Sequence, residues 1–493
     1  MSGIVGSKFN HRGSGVVAKA GTDGQHLLSS GAGKKHVFET VAAATTDLTP
    51  VKQDIAALAI HAAIAGDKIG FNLPNTFIDH YESDAKIGSV SNTDRNDGGE
   101  FIAAGSHGSR TATTYTSGSG DFTVPAGVYE FEILVVGGGG GGAGIDNTSE
   151  AVGGGGGGGI WHKSSQLTTP TTTFAYVVGA GGTAVTGNAQ GNTGATSTFT
   201  TPDGTLSAIG GGGGSSASEA KNGANGGGQG RTGNSLPYYY GRGLPYWMHT
   251  SVPNATPYGG HDGGLVAGNT GDGGGGGGAG AAGQDGTGNN GGDGGVGVLF
   301  SNYTAYGGAG GGGTANGYFS GGGGGGGTSS AGDGGNGGGG NGGSGSLGIA
   351  ATVGTGGGGG GSNANGTAGA GGSGFIGLSY LPFTIAAAGT LISSAMTVED
   401  AKTEISGVMV YRDFAGTATL GTDLKIEGTC DGGSNYTEFG YDAITPLFDT
   451  NLKMVRLDKG TFTSGTDIRY RLTFANQSAG SKETHVYGVG LAY

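Results

Sequence analysis

Phe131-Glu132-Ile133-Leu134-Val135-Val136 runs without a break into the glycine run 137–142. The apolar stretch alternates and then fills with branched side chains, which reads as a half-buried strand. The residues after it have no side chains at all. Further runs follow at 153–159, 210–214, 273–278, 321–327 and 356–361, and about three quarters of the chain's 124 glycines fall between residues 131 and 380.

Glycine loses more conformational freedom on ordering than any other residue, by about 0.5–1 kcal/mol relative to alanine. A stretch of this composition is either a flexible linker or a set of backbones packed more closely than side chains allow, as at the axis of collagen. A net hydrogen bond contributes roughly 1 kcal/mol, against about 1–2 kcal/mol to order each residue. One run alone would not hold. A bundle of extended threefold glycine helices that satisfies every N–H and C=O would. The flanking strands favour the ordered reading, because a linker needs no such frame.

With 493 residues the chain has room for several domains, and its net charge of −13 argues against nucleic acid as the main partner. No segment is long and apolar enough for a membrane helix, so no membrane insertion is expected. No secretory signal is visible at Met1, and a single cysteine, Cys430, rules out a disulfide within the chain. Proline is too rare and the glycine spacing too irregular for collagen.

Residues 1–112 read as a β-rich region with one helix. Thr49 and Pro50 mark the start of that helix and Gly66 its end. Val51, Ile55, Leu58 and Ala62, widened by Ile60 and Ile64, form its expected packing stripe. Residues 71–78 read as an extended docking stretch, and 83–120 as a polar loop or linker. The segment 29–35 lacks the first glycine and the Ser/Thr of a phosphate-binding loop and reads as a turn.

The hairpin at 122–136, the strand at 174–178, Thr196-Ser197-Thr198-Phe199 and the closing strand at 375–380 come in a fixed order around the runs. Over 113–381 this order resembles the glycine-rich domain of bacteriophage tail fibres and related virion adhesins. The resemblance implies layered polyglycine helices and a place at the distal part of a fibre, and it implies a homotrimer. Asp272-Gly273, Asp293-Gly294 and Asp333-Gly334 lack the nonapeptide register of a calcium β-roll and read as turns. No metal or cofactor is expected.

One island interrupts the glycines. Tyr238, Tyr239, Tyr240, Arg242, Tyr246 and Trp247, followed by Tyr258, put rigid aromatic area and one cation in a single stretch. Such rings suit a contact with a receptor, and equally a small core beneath a loop. These seven are the candidate receptor-binding residues. Trp161 reads as structural.

Residues 384–493 return to ordinary composition, with alternating runs at 407–411, 424–428, 453–457, 468–474 and 486–491 that read as an antiparallel β-sandwich. Segments 423–425, 430–437, 465–470 and 476–478 resemble a C-terminal module of marine phage structural proteins, and the N-terminus is similar to that group. Glu427, Asp431 and Glu438 lie close together but read as surface carboxylates, and no motif of an enzyme is present.

The fold expected is therefore mainly β: an N-terminal region (1–112), a glycine-rich domain (113–381) and a C-terminal sandwich (384–493). The function expected is that of a virion tail fibre or receptor-binding adhesin. It would bind a host surface glycan or outer-membrane protein, attach to other tail proteins and catalyse nothing. A head fibre or decoration protein is the alternative, and an ice-binding polyglycine protein fits less well because the runs are irregular.

Overall fold

The computed structural model describes residues 25–28, 37–40, 49–66, 76–81, 83–96, 101–146, 150–216, 219–230, 240–244, 252–267, 272–312, 314, 316–363, 366–446 and 452–493. The described residues are mainly β with one α-helix. The glycine-rich part begins as a sandwich of two antiparallel sheets. The first runs Ala255–Tyr258, Ile160–Leu167, Glu130–Val136, Phe375–Tyr380, Thr111–Tyr115. The second runs Gly204–Ala208, Ser197–Thr201, Thr173–Val177, Ser119–Thr123. Phe131 joins them, with ring centroids 5.5 Å from Phe122 and 5.3 Å from Phe174. Residues 83–120 are therefore no linker, because strands Ile87–Ser91, Thr93–Asn96, Phe101–His107 and Thr111–Tyr115 occupy them. Strand pairing, which polar composition does not reveal, holds them in place.

From Val136 the chain enters a bundle of extended backbones. Gly137, Gly140 and Ala143 donate to Gly159, Gly156 and Gly153 at 2.9, 2.8 and 3.1 Å. Gly138 and Gly141 donate to Ala195 and Asn192, while Gly139 and Gly142 donate to Gly372 and Gly369. Each neighbour is served by every third residue, as a threefold helix that turns by a third per residue requires. The carbonyls point the other way: Gly138 and Gly141 accept from Gly211 and Gly214, Gly140 and Ala143 from Gly359 and Ser362, and Gly139 from Gly182. The segment is thus enclosed by other backbones.

The run 153–159 is enclosed in the same manner, donating to 209–215, 274–277 and 356–359. It accepts from 137–143, from Gly228 and from Gly323. Glycine is required here by close approach. A Cβ on Gly139 would lie 1.9 Å from the Gly357 carbonyl oxygen, and one on Gly155 would lie 2.1 Å from that of Gly140. A few buried side chains cap it: Asn225 donates to the carbonyls of Gly157 and Gly158, both at 3.0 Å. The Asp-Gly pairs are bundle segments and not turns, since Gly273 donates to Gly326 and Gly294 to Asp333. Their carboxylates bind within the bundle: Asp272 accepts from the Thr328 hydroxyl at 2.9 Å and Asp293 from the Asp333 N–H at 2.8 Å.

The C-terminal strands Met396–Ala415, Leu452–Phe474 and Glu483–Ala492 carry the remaining core. Leu452–Phe474 pairs with Met396–Ala415 and, over its second half, with Leu424–Thr429 and Gly389–Ser393. Strands from before the glycine-rich part complete the sheet. Thr76–Asp79 pairs with Glu483–Ala492, Ile87–Ser91 with Gly389–Ser393, and Phe101–His107 with Phe383–Ile385. The expected docking stretch at 71–78 is that first strand from Thr76 onward; 71–75 lies outside the described residues.

The helix Thr49–Gly66 forms where the sequence places it, but among the described side chains its buried face matches the expected stripe only at Ile60. Ala56 and Ile60 are buried against Ile78, Val408 and Val410. Val51, Ile55 and Leu58 of the expected stripe are 52%, 46% and 72% exposed. The sheet beneath explains the rotation. A Cβ on Gly488 would lie 2.8 Å from Ile60 Cδ1, and one on Gly490 would lie 3.6 Å from Ala56 Cβ. The helix seats Ala56 and Ile60 where the strand has no side chains. The side chains of Ala62 and Ile64, and the phosphate-loop lookalike at 29–35, lie outside the described residues.

Candidate functional site

Of the aromatic island, Tyr238, Tyr239, Tyr246 and Trp247 lie outside the described residues, and Tyr240, Arg242 and Tyr258 lie within them. Residues 240–244 form an outer row of the bundle. Gly241 donates to Gly227 at 2.9 Å, Leu244 to Gly223 at 2.8 Å, and the Arg242 N–H to Asn222 Oδ1 at 2.7 Å. This row leaves Arg242 exposed and Tyr240 half-buried. Tyr258 ends the strand Ala255–Tyr258 opposite Ile160, and its ring meets Phe300 edge-on at 5.7 Å. Gly260, two residues on, donates to Ala224 at 2.8 Å. The segment around 222–225 thus ties Arg242 and the strand of Tyr258 to one support. Trp161 lies in the sandwich core and donates to the Ser207 carbonyl at 3.0 Å.

A second feature was not among the sequence candidates. Along Glu130–Val136, side chains alternate between the two faces of the sheet. Phe131, Ile133 and Val135 face the partner sheet. Leu134 and Val136 face the other way, beneath Phe300, Tyr303, Phe319 and Phe375. Glu130 and Glu132 continue that outer face toward the open side, and the face turns polar there. Register places Ser379 opposite both Glu132 and Ala112.

A connected set of contacts follows. Glu132 pairs with His162 Nε2 at 3.0 Å and accepts from the Asn302 side-chain amide. Arg110 donates to Ser379 Oγ at 3.1 Å. Tyr303 is fully buried below them. Burial pushes its hydroxyl pKa up, and the Glu132 charge adds to this while Arg110 opposes it. Above this floor opens a cleft of about 550 Å³, walled by Tyr258, Leu299 and Phe300. The one signal of it in the sequence is the pair of glutamates alternating with core residues. The partners that make it a site come from distant strands and from the loops that return over them.

The C-terminal carboxylates are each held by neighbours. Glu427 and Glu438 are cross-strand partners. Glu427 is bound by Arg471 at 2.6 Å and Lys425 at 3.1 Å. Burial alone would raise its pKa, but those two cations bring it below the ordinary glutamate value. Asp431 accepts from Thr429 Oγ1 at 2.6 Å and Asn435 Nδ2 at 2.7 Å, which hold its carboxyl at about 2. Glu438 accepts from the Tyr441 hydroxyl at 3.1 Å.

Residues 113–381 match the model of a family described as a glycine-rich domain, and this is more than half of the chain. No curated protein matches the sequence. The matched region starts within Thr111–Tyr115 and closes just after Phe375–Tyr380, so it takes in both sheets of the first sandwich and the bundle.

Proposed function

The chain belongs to the glycine-rich domain family, and from that premise we propose that it is a bacteriophage virion protein, a tail fibre or receptor-binding adhesin. The observation that carries the proposal is a hydrogen-bonded bundle built mostly of glycine, which leaves recognition to whatever it presents at its surface. Arg242 is presented there, on a row hydrogen-bonded to the bundle, at the centre of the aromatic stretch. The proposed partner is a host surface glycan or outer-membrane protein. Several copies, in a homotrimer on the tail, would gain avidity from weak contacts.

The proposed role is binding without turnover. The engagement of Glu427, Asp431 and Glu438 by their own neighbours supports it, because such carboxylates are already committed to structure. The alternative within the same class is a head fibre or decoration protein without a receptor. The deciding experiment is adsorption. Particles whose copy of this chain lacks residues 113–493 are expected to lose attachment to host cells. Normal attachment overturns the adhesin reading, and labelling of the chain on the head in electron micrographs would favour the alternative.

A further inference from the structure

We propose that the cleft over Glu130 and Glu132 binds a neutral mono- or disaccharide. The proposal does not rest on the virion reading, because it stands on the cleft alone. Its volume, about 550 Å³, lies within the range of small-molecule sites. Its polar groups work in both senses. The Glu130 carboxylate, which makes no side-chain hydrogen bond or ion pair among the described residues, is an acceptor, and the exposed Ser164 hydroxyl both donates and accepts. Arg110 and Asn302 add donors beside them. A ligand covered with hydroxyl groups meets such a surface with few unpaired atoms.

Charge narrows the class further. Arg110 offsets one of the two glutamate charges, and the histidines that line the cleft are each paired with a carboxylate, His162 with Glu132 and His107 with Asp94, both at 3.0 Å. An acidic ligand would be repelled by the remaining glutamate charge, and a strongly cationic one would find only that single charge to match. The walls supply the apolar half: Phe300, the half-buried ring of Tyr258 and the exposed Leu299 offer flat or aliphatic surface to the C–H face of a sugar ring. The floor is already ordered by its own hydrogen bonds, so little freedom is lost when a ligand enters.

The test uses the purified full chain and saturation-transfer NMR. The probes are glucose, galactose, mannose, N-acetylglucosamine, maltose and lactose, with glucuronic acid and glucosamine as charged controls. Saturation is expected to reach at least one neutral sugar and to favour it over both controls. Glu130→Ala, which removes the free acceptor, and Ser164→Trp, which fills the cleft from an exposed strand position, are each expected to weaken that binding about tenfold or more. Both variants are first checked for an unchanged thermal midpoint, and the Glu130 variant decides alone if the tryptophan disturbs folding. The proposal is overturned by any of three results: no transfer to a neutral sugar, stronger binding of a charged control, or unchanged affinity in the folded variants.

Discussion

Tyr129 of the glycine-rich part donates its hydroxyl hydrogen bond to Glu483, 354 residues further along the chain. Glu483 also pairs with His485 Nε2 at 2.8 Å. His485 lies stacked against Phe101 at 3.8 Å and Phe414 at 4.8 Å. Four stretches of the chain meet in this cluster, and it joins the first sandwich to the C-terminal sheet. Tyr129→Phe leaves a buried carboxylate one donor short. The expected loss is about 1.5–3 kcal/mol, read as a lower urea midpoint with the slope unchanged.

The same cluster makes the joint sensitive to acid. Burial holds His485 below the ordinary histidine value, so it stays neutral when folded. Burial alone would raise Glu483, but the hydrogen bonds from His485 and Tyr129 outweigh it and hold the carboxyl below its ordinary value. Both shifts have one sign, since the unfolded chain binds more protons as pH falls below about 6.5. Amide protection of 129–131 and 483–486 is expected to drop between pH 7.5 and pH 5. In His485→Gln the slope should flatten even though overall stability is lower. Equal slopes would exclude His485 as the source.

Asp79 works in the opposite direction. Tyr470 donates to its Oδ2 at 3.0 Å and the Tyr81 N–H to its Oδ1 at 3.1 Å, yet burial still raises its carboxyl to about 6. A raised pKa stabilises the fold below the unfolded value of about 4, and that contribution is lost as pH rises through the folded one. The difference between those two values corresponds to roughly 3 kcal/mol. Urea titrations of the wild type and Asp79→Asn should differ most in their change between pH 4 and pH 6.5. A constant difference across that window would show that Asp79 does not titrate there.

For the bundle, position decides the cost of a methyl group. Gly155→Ala sets a Cβ 2.1 Å from the Gly140 carbonyl oxygen. The expected loss exceeds about 3 kcal/mol, with rapid amide exchange spreading through 137–143 and 153–159. Gly345→Ala meets no atom within 4 Å, and its positive φ alone sets the cost, about 1 kcal/mol. If the Gly155 variant were as stable as the Gly345 variant, the packing of these segments would be wrong.

The helix offers a cleaner contrast. Ala56→Leu forces bulk against Gly490 and should cost about 1–3 kcal/mol. Leu58→Gln replaces an exposed residue and should stay within about 0.5 kcal/mol. Thermal midpoints distinguish the two, and the reverse order would restore the stripe read from the sequence.

The helix also shows where local pattern stops. Pro50 and Gly66 mark its ends because caps are local chemistry. Its orientation was only partly legible: Ile60 of the expected stripe is buried, whereas Val51, Ile55 and Leu58 are exposed, because the sheet seats Ala56 and Ile60 where it lacks side chains at Gly488 and Gly490. The aromatic island was legible as composition, and Trp161 as a structural ring. The cleft was not, because Glu132, Ser379, Arg110 and Asn302 meet only through strand register and a returning loop.

By itself, the sequence determined that glycine runs framed by strands must either pack as bare backbone or remain a linker, and that the rest of the chain is mainly β. Those properties follow from the presence or absence of a Cβ and from alternation along a strand. Only the tertiary structure decided which run donates to which, since every glycine is chemically alike and its partner is chosen by the lattice around it. It also decided that strands before and after the glycine-rich part share one sheet, as Val489 opposite Asp79 shows. That pairing joins ends of the chain that no local pattern connects.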